Sequence, residues 1–466
     1  MKTKLMMIMA VVCFAAQLKA QNTFDIRSLS LGKTSVANSY NIDALGHNPA
    51  NIQLQKTTDD ATVYLNLITN LGFNFNSDFA SIDFYDKYFK KDKNGNRKTL
   101  TTQDKADIMS KAADGYSELK AGVNLFSIVV NSGIGSMGIA LTEKAGSNLR
   151  LDGDFVDIAL YGYKNNHTYD FSRLELGASW IREVNITYAN TYTFKKRNKL
   201  INSIAYGISV KPQLGMYYLG TESNNLNINT NDSDIARGTG SMNLFYSGAD
   251  KFKTTESYLT PSGTGLGIDL GVNADMKEFF GLKNVKLGFS ITDIGSIKWK
   301  RNTYRYEYDG NFVITDITNQ GQIDSLRDKI KGTKTPGKEF STALPTTLRI
   351  GAMYKLYTTS VKDTDDITEN SELANISLEL IQGVNSTYGS TTIPIIAIGA
   401  EWNPVNILSL RAGIVTGGRE KFAAGFGLGL DFSSFDLDIG TNDIFGLFNV
   451  KKATKLSGGI SLKIKI

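Results

Sequence analysis

Histidine and cysteine, which most often carry catalysis or bind transition metals, are scarce in this chain. Its 466 residues include two histidines, His47 and His167, and one cysteine, Cys13. A Ser-His-Asp hydrolase would need one of the histidines in a polar triad, but His167 lies in the turn-like stretch 164–170, typical of a loop. Too few ligands remain for a His/Cys metal site. We therefore predict no catalytic residue, no metal site, no cofactor and a protein that is not an enzyme.

The first twenty residues are typical of a secretory signal peptide. Lys2 and Lys4 precede the apolar run 5–16, and Ala20 is the small residue at the expected cleavage site. The apolar run is short for a membrane span. Removal of residues 1–20 also removes the only cysteine and lowers the formal net charge of +5 by three lysines. The balanced charge that remains gives no argument for nucleic-acid binding.

Apolar and polar residues alternate with a period of two along most of the remaining chain, which predicts β-strands. Residues 266–272, 285–291 and 408–414 are clear examples, and we count about fourteen such strands. Alternation alone fits either a soluble sandwich, with the apolar face on a second sheet, or a membrane barrel, with that face in lipid. The export signal, the number of strands and the alternating last strand, 460–466, favour an all-β fold, a transmembrane antiparallel β-barrel.

Other segments break this alternation. A helix is predicted over residues 103–113, with Thr102 as its cap, and a second short helix over 155–162. The polar segments 221–262, 308–342 and 357–372 are expected as long extracellular loops. Aromatic residues near strand ends are candidates for the interfacial girdles of a barrel; they include Tyr188, Tyr192, Trp299 and Trp402.

Charged runs could contact lipopolysaccharide or divalent ions, although solvated loops explain them as well. The basic run comprises Lys87, Lys90, Lys91 and Lys93, and the acidic run comprises Asp363, Asp365 and Asp366.

The N-terminal segment carries a family resemblance. A stretch containing Gly32 leads into Asn48-Pro49-Ala50, and the pieces 289–295, 348–352 and 410–413 follow in order. This set resembles FadL-type outer-membrane proteins and the PorV-like members of that superfamily from Bacteroidetes-type bacteria. The resemblance implies a barrel over residues 61–466 with long extracellular loops, and a plug over residues 21–60 that folds inward.

In this resemblance, Gly32, Asn48, Pro49 and Ala50 form the plug motif. The residues themselves fit, because Pro49 would interrupt a strand ladder and the small residues of this segment permit close packing inside a lumen. The alternative is an ordinary periplasmic tail that leads into the first strand.

Two functions follow from the resemblance. The first is passive transport of hydrophobic small molecules across the bacterial outer membrane, with capture in an extracellular-side pocket and exit by plug movement or through a lateral gap in the wall. The alternative is a PorV-like, non-transporting interaction protein of type IX secretion or of a cell-surface assembly. The expected partners are outer-membrane lipid and lipopolysaccharide, with hydrophobic ligands or secretion-system proteins according to the function. The sequence assigns no ligand-binding residue.

Overall fold

The computed structural model describes residues 25–55, 61–195, 200–231, 236–248, 258–315, 321–322, 324, 332–361, 368–385 and 391–466. The signal peptide, residues 1–20, lies outside the described residues, and so do Asp363, Asp365 and Asp366. The boundary at residue 60 between the expected plug and the barrel also lies outside them. These predictions stay predictions. No helix in the described ranges is long and apolar enough to cross a membrane.

Fourteen long strands among the described residues form one closed antiparallel barrel, as the alternation predicts. Each strand pairs with its neighbours in the chain, and the last pairs with the first, with Gly458 opposite Phe73. In chain order the strands are β1 Val63–Ser77, β2 Tyr116–Ser132, β3 Gly135–Arg150, β4 Glu175–Thr193, β5 Ile201–Asn224, β6 Gly263–Met276, β7 Val285–Trp299, β8 Thr347–Val361, β9 Thr368–Gly383, β10 Ile395–Val405, β11 Leu408–Gly417, β12 Lys421–Asp431, β13 Phe435–Thr441 and β14 Lys455–Lys465.

The helices and the shorter strands lie before the barrel and in its connections. The α-helices are α1 Ile26–Ser30, α2 Ile82–Tyr88, α3 Thr102–Ala112, α4 Gly153–Tyr161 and α5 Ile444–Phe448, and two 3-10 turns span Asn41–Ala44 and Pro49–Gln53. A small separate sheet contains Thr168–Asp170, Asn227–Thr230, Ala236–Thr239 and Phe312–Ile314. The barrel wall is extended on one side by Ser241–Ser247, Thr303–Asp309, Thr333–Pro336 and Phe340–Ala343.

The two rims of the barrel differ in the lengths of their connections. At the rim that holds the C-terminus, where Ile466 bonds Val63, the connections are short, such as 133–134 and 406–407. The opposite rim carries the long segments 78–115 and 300–346. Because barrels of this type have short periplasmic turns and long outer loops, the rim with the C-terminus is periplasmic and the other is extracellular.

Side chains on the wall alternate between a polar interior and an apolar exterior. On β6, Leu266 and Leu270 are 49% and 45% exposed on the outside, whereas Asp269 is fully buried inside. A closed barrel leaves no unpaired sheet edge, and its apolar outer band faces lipid, which is the architecture of bacterial outer-membrane proteins. The chain is therefore an outer-membrane β-barrel protein.

One predicted loop and one predicted cap are wrong. Residues 357–361 end β8 and 368–372 begin β9, with Val361 opposite Thr368, so these parts of the predicted extracellular loop are instead paired strand ends at the periplasmic rim. A strand that continues beyond the membrane needs no apolar outer face, so its polarity resembled that of a loop. The helix predicted over 103–113 is α3, but Thr101 caps it, in a reciprocal capping box with Asp104.

The seam between β14 and β1 is irregular. Leu65 lies opposite Ile464 and Leu71 opposite Ile460, so residues 66–70 of β1 face only 461–463 of β14. Ile68 and Asn70 adopt left-handed backbone conformations there, with φ of 48° and 51°. Extra residues in one strand bend it and interrupt the ladder. The wall is therefore locally weakened at this position.

Candidate functional site: the barrel interior

Residues 25–55, here called the N-terminal segment, lie inside the barrel and are almost completely buried. Asp25 caps α1 by accepting hydrogen bonds from the backbone N–H groups of Arg27 and Ser28. Asn48 caps the turn Pro49–Gln53, in which Pro49 holds the first position. Short capped turns suit this position because they satisfy backbone groups locally, where no strand partner is available.

Glycines on the inner face of the wall make room for the N-terminal segment. A Cβ at Gly207 would lie 2.5 Å from the Pro49 carbonyl carbon, and a Cβ at Gly271 would overlap Asn48 Oδ1. A Cβ at Gly288 would overlap the Val36 carbonyl, and one at Gly413 would overlap Leu31. The enrichment in glycine, 44 of 466 residues, therefore serves close packing between wall and segment at these positions.

The four residues of the predicted plug motif all lie at contacts between the segment and the wall. Gly32 has φ of 62°, and a Cβ there would lie 2.8 Å from the Ile414 amide nitrogen. Asn48 donates from Nδ2 to the Val36 carbonyl at 2.7 Å and to the Val272 carbonyl of β6 at 3.1 Å. Ala50 is fully buried beside Gly207. Their role as a plug motif stays a proposal.

Replacing Asn48 by alanine is expected to destabilise the protein by about 2–3 kcal/mol. The variant loses the side chain that caps the turn Pro49–Gln53, and the Val36 and Val272 carbonyls each lose one hydrogen-bond donor. Urea titration of the folded barrel in lipid measures the free energy of unfolding. Asn94→Ala, at an exposed turn, is the matched control and should lie within about 0.5 kcal/mol of the wild type. An Asn48→Ala barrel as stable as this control would contradict the contacts described.

A chain of buried ion pairs joins the N-terminal segment to strands β10 to β14. Arg27 of the segment pairs with Glu401 at 3.0 Å, and Glu401 also pairs with Arg411 at 2.6 Å. On the far side, Lys463 pairs with Asp438 at 3.0 Å and with Asp43 of the segment at 2.6 Å. Arg411 and Asp438 complete the chain, because they pair at 2.5 Å. Through this chain of ion pairs, the segment is tied to the wall at Arg27 and at Asp43.

Further buried charges line the interior beside strands β3 to β9. Lys211 lies between Asp269 at 2.9 Å and Asp293 at 2.5 Å. Glu379 accepts hydrogen bonds from the backbone N–H groups of Ser35 and Val36, at 2.6 and 2.9 Å. Burying ions is costly unless each is paired and hydrogen-bonded. Arrangements of the N-terminal segment that leave these buried charges unpaired are therefore destabilised relative to the one that completes the pairs.

The interior turns apolar near the extracellular rim. Ile181, Ile297, Trp299 and Leu344 form a buried cluster, with Tyr218 and Phe340 packed against it; these six residues are here called the Trp299 cluster. Trp299 is fully buried and donates from Nε1 to Thr342 Oγ1 at 2.9 Å. The ring centroids of Trp299 and Tyr218 lie 5.4 Å apart. Its four buried members are at most 2% exposed, so the cluster is closely packed, and its side chains match small apolar or aromatic molecules in chemistry.

Trp299 therefore does not belong to the interfacial girdle where the sequence placed it. Tyr192 and Trp402, by contrast, are 60% and 51% exposed on the barrel. A one-residue bulge in β7 explains the difference, because Ile268 lies opposite Ile294 but Leu270 lies opposite Ile291. After the bulge, the residues of β7 that would otherwise face lipid, Trp299 among them, face the lumen.

The two histidines occupy separate places. His167 lies in an extracellular loop, with its ring centroid 4.4 Å from that of Tyr169. His47 lies in the N-terminal segment, where its Nδ1 is 3.3 Å from Ser35 Oγ. Burial, together with the cations of Arg349, Lys144 and Lys211, holds the pKa of His47 well below its usual range. Its imidazole is therefore neutral and adds no further positive charge to the interior.

Sequence reasoning missed Arg27, Glu401, Arg411 and Lys463 as a connected set. Each stands on the polar side of a strand or in the N-terminal segment, but the pairs join residues up to 420 positions apart. One usable signal was present, since Glu401 and Arg411 face each other across the short hairpin of β10 and β11.

Comparison with known proteins gives one family match. The profile of a family of unknown function, DUF5723, matches residues 49–442. The search of curated proteins finds no match.

Several solved structures are similar to this chain. The Ralstonia pickettii toluene transporter TbuX is 11% identical, with 97% of this chain and 99% of that chain covered and a TM-score of 0.46. A Pseudomonas aeruginosa FadL homologue is 11% identical, with 96% and 98% covered and a TM-score of 0.42. The Pseudomonas putida toluene transporter TodX is 12% identical, with 95% and 98% covered and a TM-score of 0.41. Likenesses at these values identify no ligand for this chain.

Proposed function

This chain belongs to DUF5723, a family of unknown function, and we propose that it passes hydrophobic small molecules across the outer membrane through a plugged barrel. The observation that carries the proposal is the Trp299 cluster on the inner face of the extracellular end. A water-filled pore has a polar interior, whereas this end of the lumen is filled by aromatic and aliphatic side chains. An apolar molecule that arrives from outside would be captured by moving these side chains apart and replacing the contacts between them. The proposed role is not enzymatic.

In this proposal, the N-terminal segment is the plug. Below the Trp299 cluster the lumen contains the segment and its ion pairs, and charged side chains line the cavities left between segment and wall, among them Arg27 and Glu401 in one and Asp43 and Glu183 in the other. An apolar ligand cannot cross such a lumen while the segment remains in place, because it would displace paired charges without replacing their contacts. Passage therefore requires the segment to move.

The irregular seam supplies an exit in the same proposal. Asn70, on the interrupted part of β1, lines a cavity that is also lined by Glu183 of β4. Glu183 stands two residues after Ile181, a member of the Trp299 cluster. Ile68, on the same stretch, is 75% exposed. A shift of the N-terminal segment would enlarge this cavity behind the irregular part of the wall. The ligand would then leave sideways into the membrane.

Tryptophan fluorescence tests the capture site. The chain has three tryptophans, so the double variant Trp180→Phe/Trp402→Phe reports on Trp299 alone. Toluene, a small apolar aromatic probe, should change this emission saturably in the purified barrel. Failure of toluene and of a fatty acid to change it in a folded barrel would count against the proposal.

Uptake measurements extend this test. Trp299→Leu keeps the site apolar but removes the ring, and we expect toluene uptake by cells carrying the variant to fall about tenfold, a free-energy change of about 1.4 kcal/mol. Trp402→Leu, at an exposed position on β10, should leave uptake unchanged. Equal uptake by the two variants would contradict capture at the Trp299 cluster.

A second candidate function is a PorV-like docking protein for exported proteins. The tightly paired interior favours it, together with the extracellular helices α2, α3 and α4, which share a buried core that includes Phe84, Ile108 and Val156. Isolation of the protein in mild detergent should then recover secretion components. Recovery of the barrel alone, with saturable toluene binding, would decide for transport.

A further inference from the structure

Helix α5 lies in the extracellular connection between β13 and β14 and leaves most of its apolar side chains uncovered. Phe445, Leu447 and Phe448 are 59%, 52% and 80% exposed, and Val450 just beyond the helix is 43% exposed. The helix is nevertheless fixed in place, because Asp443 caps it and Gly446 packs against the Lys455 carbonyl. These apolar residues are therefore held outward by a defined backbone.

Helix α2 extends the same surface. The backbone N–H of Asp83 donates to the Lys451 carbonyl at 2.7 Å, which joins α2 to the end of the α5 connection. Ile82 and Tyr85 on α2 are also exposed. The residues Ile82, Tyr85, Phe445, Leu447, Phe448 and Val450 are here called the α5 patch.

The α5 patch continues the lipid-facing band of the barrel. Helix α5 packs over the extracellular ends of β12 and β14, where Phe422 of β12 is 49% exposed on the outer face. Phe73 on the neighbouring β1 is exposed on the same side. Exposed apolar surface that joins an established lipid interface belongs at the membrane boundary rather than in water.

Two lysines give this surface a charge. Lys451 and Lys452 follow the patch directly and are exposed, and neither forms an ion pair with another residue that the structure describes. Apolar side chains with adjacent unpaired lysines are typical of sites that bind anionic lipid. The acyl chains pack against the apolar side chains, and the phosphates bind the lysines.

We propose that the α5 patch, with Lys451 and Lys452, binds a phosphorylated glycolipid of the outer leaflet, of the lipid A class. The acyl chains lie against Phe445, Phe448 and Ile82, and the sugar phosphates bind the two lysines. This contact lies at the extracellular end of β14, one of the two strands of the irregular seam, so the lipid covers the end of that seam. The proposal rests on the barrel and its orientation and does not depend on transport.

Spin labelling tests where the α5 patch lies. The only cysteine of the chain is Cys13, in the predicted signal peptide, so single-cysteine variants label cleanly. In bilayers that contain lipid A, a nitroxide at Phe448→Cys should be more accessible to oxygen than to a water-soluble nickel chelate, like the lipid-facing control Leu378→Cys. The loop control Asn94→Cys should show the reverse. A Phe448 label that behaves as the loop control, or that a protein partner shields instead, overturns the proposal.

Titration of the detergent-purified full-length barrel with lipid A tests the phosphate contacts. Lys451→Gln/Lys452→Gln should weaken binding about tenfold, as expected for loss of two lysines at an anionic lipid surface. Lys300→Gln/Lys338→Gln, at exposed positions of the connection between β7 and β8, is the matched control and should bind as the wild type. Unchanged binding in the first variant, or equal loss in both, overturns the proposal.

Discussion

Gly271→Leu is expected to displace the N-terminal segment and open the barrel to ions. A side chain at this position overlaps Asn48 Oδ1, and its Cβ would lie 2.8 Å from Pro49 Cδ. Overpacking of this kind costs about 1–3 kcal/mol, which favours states with the segment moved away from β6. Planar-bilayer recording should show an ionic conductance well above that of the wild type.

The control for this variant is Gly458→Ala on β14. A Cβ there meets nothing closer than Phe73 Cε1 at 3.5 Å, which is ordinary contact. Gly458→Ala should therefore conduct as the wild type does. A folded Gly271→Leu barrel that stays as closed as Gly458→Ala would show that the segment does not occupy the lumen as described.

Glu401→Gln has the largest expected effect on stability. Glu401 is 2% exposed and neutralises both Arg27 and Arg411. Loss of its charge leaves two buried guanidinium groups with one carboxylate, Asp438, between them. Breaking a buried pair in this way costs about 3–5 kcal/mol, and urea titration measures the loss.

A double-mutant cycle isolates the contact between segment and wall. Arg27→Met/Glu401→Gln should be more stable than the sum of the two single changes predicts, because Arg27→Met removes the guanidinium that Glu401→Gln leaves without its carboxylate. For comparison, Lys298→Gln breaks the half-exposed pair with Glu339 and should cost less than about 1 kcal/mol. Additive effects of Arg27→Met and Glu401→Gln would contradict the buried pair.

The sequence was sufficient for the barrel because the signal is local and repeated. On β6, Leu266, Leu270 and Val272 belong to a row of apolar residues that stand two positions apart, and the same spacing recurs strand after strand. Helix α3 was also predictable, from the spacing of its apolar residues and from a threonine near its start, and the short helix predicted over 155–162 is α4. These features depend on neighbours within a few residues.

The interior could not be predicted in the same way. Arg27 finds Glu401 only after the wall has closed, 374 positions along the chain. Trp299 and Phe289 are separated by an even number of residues and would face the same side of a regular strand. Phe289 faces lipid, but Trp299 faces inward, because the bulge between them, at Asp293 with φ of 58°, shifts the register by one residue. Neither the partner of Arg27 nor the direction of Trp299 is encoded in a pattern of nearby residue types.

Locking the N-terminal segment to the wall tests most directly whether passage requires the segment to move. A Cβ at Gly351 of β8 would lie 2.7 Å from Val36 Cγ1, so cysteines at both positions are placed to form a disulfide. The oxidised variant Val36→Cys/Gly351→Cys should still bind toluene at Trp299 but should not take it up, and reduction should restore uptake. Wild-type toluene uptake by the fully cross-linked barrel would contradict the account.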